Sequence, residues 1–272
     1  MNTQEIMYIA LQLAEMSVTP TDSGIWFAGK GIKKVLFGID IGAPELEIAR
    51  RLGYDLAIGH HPPEATLEAW RMYRIHVEQM VAVGVARHVA EEAVAAEIEM
   101  MQWRAHGRND RHTVSVAALI GMPYMNVHLP LDEIGRRLLQ DHVDAFLSAN
   151  AHSTVGEVLN LLYDFGEVRN APVPPRIAFG DAAAPARRVI FSHGALDIPN
   201  GAILDAYFAH GVDAVIALRA PLSDLKRLQQ EANGALIVIG HMAGDSLGIT
   251  PFLAALEEQG LEVTRISGVV EP

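Results

Sequence analysis

Five of the chain's 12 histidines follow directly on short apolar runs: LAIG leads into His60 and His61, YMNV into His128, VIFS into His193, and LIVIG into His241. Imidazole titrates near neutral pH and offers a neutral nitrogen to a cation, so these residues suit proton transfer or metal ligation. Four of them have an acid four residues on: His60–Glu64, His128–Asp132, His193–Asp197 and His241–Asp245. His88–Glu92 and His106–Asp110 share the spacing. With 33 acids in 272 residues, composition alone gives about one or two such pairs. On a helix this spacing puts both groups on one face, where they reach one ion or two neighbouring ions. A lone strand-end histidine that donates to a backbone carbonyl merely shapes a loop. His60–His61 is different, because adjacent residues leaving a strand point in different directions and one core niche does not satisfy both. Pro62–Pro63 then stiffen the exit. Neutral imidazole with carboxylate suits zinc, iron or manganese. The absence of cysteine removes thiolate nucleophiles, disulfides and Cys-based zinc or iron–sulfur sites.

The elements that must position these groups alternate in type. Residues 33–39, 55–59, 124–127, 188–192, 212–218 and 235–240 read as buried strands; 44–52, 203–210, 222–232 and 251–259 read as helices. Such alternation predicts an α/β fold with a substantially parallel sheet, whose ligands bind outside the carboxyl ends of the strands. Residues 64–107 are broken only by Gly84 and read as two helices. The stripe Trp70, Tyr73, Val77, Met80 and Val81 reads as core. Residues 171–185 carry four prolines and read as a connecting loop or an edge segment. Gly53, Gly211, Gly234 and Gly260 sit where helices should stop.

Half of the residues are hydrophobic and one fifth are charged, so the chain can build a sizeable core. A formal net charge of −12 opposes general nucleic-acid binding. The N-terminal residues lack the basic start and apolar run of a signal peptide. No apolar stretch reaches the roughly 18 residues of a membrane span, which makes the cytoplasm the expected location. Dinucleotide, phosphate-loop, HExxH and GxSxG signatures are missing.

IGHHPP (58–63), VHLPLD (127–132) and GHMAGDSLG (240–248) together resemble the three metal motifs of the NGG-interacting-factor-three-like proteins. This is a dinuclear metal-centre family, some of whose members carry the name GTP cyclohydrolase one type two. The opening TDSGIWFAG (21–29) before KKVLFGIDI also resembles the family's N-terminal segment and first strand. The resemblance implies two interlocked α/β lobes with a metal cleft between them: residues 1–127 with 235–272 as one lobe, 128–234 as the other. It implies two divalent transition metal ions held by His60, His61, Asp132, His241 and Asp245, with His128 beside the ligand Asp132. It also implies a homo-oligomer, commonly a hexamer. Three departures stand out: Asp245 replaces a Glu, Leu129–Pro130 replaces Thr-Asn, and Leu218–Arg219–Ala220 replaces a late-strand Thr-Gly-Asp/Glu.

Two readings of function follow. One is a metal-dependent hydrolase acting on an unidentified small molecule, whether a nucleotide ring, a phosphoester or an amide. In it a metal pair roughly 3.5–4 Å apart activates water, and His128 or His193 serves as general base or acid. The other is a non-catalytic interaction or regulatory protein whose ions rigidify a binding surface. A metal-free scaffold with structural histidines is the remaining alternative.

Overall fold

The computed structural model describes residues 1–272, and the chain is a mixed α/β protein with two parallel-rich sheets. Its strands are β1 (Gly24–Phe27), β2 (Lys34–Gly38), β3 (Leu56–Gly59), β4 (Tyr124–Asn126), β5 (Arg176–Phe179), β6 (Val189–Phe191), β7 (Ala214–Ala217), β8 (Ala235–Val238) and β9 (Glu262–Ile266). The first sheet has the order β1-β4-β3-β2-β9 and the second β5-β8-β7-β6. In each, one edge strand runs antiparallel, β1 on β4 and β5 on β8, and the rest are parallel. The central strands β3, β7 and β8 are buried along their whole length, as expected for strands covered on both faces.

The chain divides into two compact units. The first comprises Met1–Met72, Met101–Ile134 and Gly248–Val269; the second comprises Tyr73–Met100, Gly135–Leu247 and Val270–Pro272. These differ from the expected lobes in where 73–100, 128–134, 235–247 and 270–272 fall. Pairing explains part of the difference, since β8 lies between β5 and β7 in the second sheet. Side chains of the helical segment explain another part: Tyr73, His76 and Gln79 all hydrogen-bond to the backbone that follows β6.

All six expected strands and all four expected helices form, with shifted ends. Residues 171–185 contain the edge strand β5, and β1 and β9 are strands that the apolar pattern did not mark. Helix Leu129–Ala149 also went unmarked. Its Pro130 sits in the first turn, where a missing N–H costs nothing. The last helix begins ten residues before the expected Pro251, at His241, and carries that proline inside it. The expected stripe is core at Tyr73, Val77 and Met80. Gly53, Gly211 and Gly260 take positive φ after helices. Gly234 does not; it is required for a different reason, since a Cβ there would meet the Phe208 ring at 2.2 Å.

Candidate metal centre

In the first unit, the parallel strands β2, β3 and β4 deliver their chains to one edge. His60 and His61 leave β3, and their amides continue the ladder by donating to the carbonyls of Gly38 and Ile39 at the end of β2. Val127 continues β4 by donating to Gly59, and His128 follows it at the start of the Leu129–Ala149 helix. The His128 carbonyl accepts from the amides of Leu131 and Asp132, so the first helical turn fixes Asp132 relative to His128. The sequence therefore converges on this edge for ordinary reasons: short apolar strands, then turns that expose the next residue.

Each of the three imidazoles has one ring nitrogen committed. His60 Nδ1 lies 3.1 Å from the Val127 carbonyl oxygen, His61 Nδ1 2.8 Å from Asp40 Oδ1, and His128 Nδ1 2.8 Å from Asp22 Oδ2. All three partners are acceptors, so each Nδ1 carries the hydrogen, and a neutral ring keeps its lone pair on Nε2. This is the arrangement by which metal-ligating histidines are oriented. His60, His61 and His128 each offer a ring nitrogen within 4.8 Å of the others. The ring centroids of His60 and His128 are 4.8 Å apart. Asp132 adds a carboxylate, with Oδ1 3.2 Å from His60 Nε2 and Oδ2 3.6 Å from His128 Nδ1. A lone pair and a carboxylate oxygen at 3.2 Å repel unless a proton or a cation lies between them. His60 is fully buried, and Asp132, His128 and Asp22 nearly or fully so. Buried carboxylates and neutral imidazoles, with no thiolate, form a donor set that fits a divalent transition metal.

His241, Asp245 and His193 lie in the second unit. His241 opens the last helix and Asp245 follows one turn later, with His241 Nε2 3.3 Å from Asp245 Oδ2. Here the i, i+4 spacing works as expected, with Asp245 2% exposed and the His241 side chain about one-third exposed. His193 ends the β6 run, is buried, and stacks on Phe191 with centroids 5.0 Å apart. Its carbonyl accepts from Gln79 Nε2.

Two of the i+4 acids do something else. Glu64 receives the amide and hydroxyl of Thr113 at the start of helix His112–Ile120. Asp197 accepts from Arg219 Nη2 at 2.5 Å and from the amide of Ile198. Neither stretch is helical at its histidine, so the spacing carries no shared face there. Asp22 and Asp40 were missed as site residues. The available signal for Asp40 was its place two residues beyond β2, beside the exit of β3. Asp22 had none in the apolar pattern, because its approach runs over 100 residues of sequence.

Comparison with protein-family models gives no match, and none of the curated proteins compared matches the chain. Among solved structures, a NIF3 superfamily protein from Sphaerobacter thermophilus is 38% identical, covers 98% of each chain and superposes with a TM-score of 0.95. Reduced HcgD from Methanocaldococcus jannaschii covers 97% of each chain at 13% identity and a TM-score of 0.58. TTHA1606 from Thermus thermophilus covers 100% of this chain and 99% of its own at 13% identity and a TM-score of 0.55. The last two likenesses are ones of fold. The first extends over nearly the whole length at 38% identity, and on that relationship the chain belongs to the NIF3 superfamily.

Proposed function

We propose that this protein is a dinuclear metal-centre hydrolase of a small molecule, with His60, His61, Asp132, His241 and Asp245 as the ligands of two divalent transition metal ions. The observation that carries it is the set of oriented imidazoles beside Asp132, with His60 and His128 buried and His61 partly so, joined to the family membership. When bound, such ions lower the pKa of water and stabilise charge on an attacked carbonyl or phosphoryl centre. The chain's own residues supply the rest. Val127 and Asp40 hold the rings of His60 and His61, and His128 or His193 moves the proton. Zinc, iron and manganese all suit the donors, and the substrate is a nucleotide-like, phosphoester or amide compound. We place the protein in the cytoplasm as a homo-oligomer, with the family's hexamer as the expected assembly. No helix is long and apolar enough to cross a membrane.

Elemental analysis of the purified protein tests the reading: one to two equivalents of transition metal per chain are expected. His61→Ala combined with His241→Ala should abolish binding, and undiminished metal in that variant would reject the site. Light scattering at micromolar concentration should return an oligomer; a monomer would remove that part.

One observation favours a second reading, a non-catalytic metal-dependent interaction or regulatory protein. Leu218–Arg219–Ala220 stands where the resemblance expects a late-strand acid, and Arg219 is ion-paired with Asp197. A hydrolase substrate panel with and without chelator separates the two, because only the first predicts chelator-sensitive turnover.

A further inference from the structure

The chain holds two Asn-Gly dipeptides, Asn200–Gly201 and Asn233–Gly234. The backbone nitrogen that follows an asparagine can attack its side-chain carbonyl, and glycine, with no Cβ, leaves that nitrogen least hindered. The attack needs freedom. The side chain must swing over the next amide, and that amide must be able to lose its proton. The fold treats the two dipeptides in opposite ways.

Asn200 is locked. It caps helix Gly201–Ala209, where its Oδ1 accepts from the Ile203 amide at 2.9 Å and its Nδ2 donates to the Ala93 carbonyl at 3.1 Å. The Gly201 amide, which would be the attacking nitrogen, donates to Asp224 Oδ2 at 3.3 Å, and a carboxylate beside it opposes its ionisation. Asn233, by contrast, is exposed in the bend between helix Leu225–Glu231 and β8. Neither its side chain nor the Gly234 amide makes a hydrogen bond; the ladder resumes at the Ala235 amide, which donates to the Asp213 carbonyl at 3.0 Å. Gly234 is nevertheless fixed in identity, because a Cβ there would meet the Phe208 ring at 2.2 Å. Packing thus demands the residue type that makes Asn233 reactive.

We propose that Asn233 is a site of spontaneous covalent modification, an ageing point at the entrance of β8. The Gly234 nitrogen forms a bond to Asn233 Cγ, the Cγ–Nδ2 bond breaks, and Nδ2 leaves as ammonia with the proton that Gly234 gives up. Water then opens the cyclic imide at either carbonyl, which leaves aspartate or isoaspartate in place of the amide. Isoaspartate puts an extra methylene in the main chain and a new negative charge beside it. The strand that follows is buried along its whole length between β5 and β7. Gly234 lies against the Phe208 ring, so the added length falls on the start of β8.

The test is storage of the purified protein in warm, mildly alkaline buffer made with isotope-labelled water. Peptide mass mapping and methyl transfer by an isoaspartate-specific methyltransferase then read the products. The peptide carrying Asn233 should exchange NH2 for labelled OH and accept methyl groups. The peptide carrying Asn200 should convert at least about tenfold more slowly, because its hydrogen bonds must open first. In concentrated urea the two peptides should convert at similar rates, which assigns the difference to the fold. Asn233→Gln, whose longer side chain closes the ring far less readily, should keep its melting temperature on storage, while that of wild type falls as isoaspartate accumulates. An Asn233 peptide that converts in urea but not in the native protein would overturn the proposal, as would equal native rates at the two dipeptides. Stored wild type that carries isoaspartate yet melts like the fresh protein would overturn the effect on β8.

Discussion

Asp245 is the position where this chain shortens a side chain that the resemblance expects to bridge two ions. It is almost fully buried, and a histidine on its own helix lies 3.3 Å from its carboxylate. If the carboxylate brings two positive charges together, its charge matters more than any one imidazole. Asp245→Asn keeps the size and removes the charge, so occupancy of at least one metal should fall. Asp245→Glu should retain or tighten binding if one methylene is what limits the bridge. Calorimetric titration of the metal-free variants with zinc or manganese decides this. Equal affinity and stoichiometry across wild type, Asn and Glu would show that Asp245 is no ligand. Glu64 makes the opposite prediction from the same spacing rule. It caps the Thr113 turn, so Glu64→Ala should lower stability by about 1 kcal/mol and leave metal stoichiometry unchanged. A loss of metal in that variant would make Glu64 a ligand after all.

At the scale of elements, what the sequence made legible was what periodicity and composition encode. The buried strands β2, β3, β4, β6, β7 and β8 are continuous apolar runs and were readable as such. β9 was not, because EVTRI alternates polar residues in an edge strand that leaves every position partly exposed or more. Helix Leu129–Ala149 was hidden behind Pro130, which reads as a breaker until its first-turn position is known. The ligand edge was legible because histidines end strands; the orienting acids were not, because sheet order is a tertiary fact. Asp22 reaches His128 only through the antiparallel pairing of β1 with β4. Close backbone approach is equally invisible in sequence. Gly180 has φ +96, and a Cβ there would lie 2.7 Å from Ala235 Cα at the start of β8. Gly180→Ala should therefore cost about 2–4 kcal/mol from backbone strain and overpacking together. An unchanged urea midpoint would mean that the β5–β8 edge yields without penalty.

Over the whole molecule, stability couples to protons through groups buried in one charge state. His76 is the clearest case. It is fully buried, donates from Nε2 to the Asp197 carbonyl at 3.1 Å and accepts from Ser192 Oγ at Nδ1. Both roles are filled only by the neutral ring, and burial pushes its pKa down from 6.5 to about 4. The sign follows from proton counting. Above about pH 6.5 neither state binds a proton here, and the contribution to stability is full. As pH falls from 6.5 towards 4, the unfolded chain takes up a proton that the native chain refuses, so stability declines. Below about 4 both states are protonated and the slope from this group ends. The total loss is about 3 kcal/mol. His76→Gln keeps an amide donor for the Asp197 carbonyl and removes the titration. Urea unfolding in chelator at intervals from about pH 7.5 to 4 should therefore show a shallower fall for the variant, although its stability at the upper end is the lower of the two. The chelator removes metal release as a competing cause, since bound metal also stabilises the native state by mass action and is lost as its ligands protonate. Parallel pH profiles for the two proteins would show that His76 is not the group through which acid unfolds this chain.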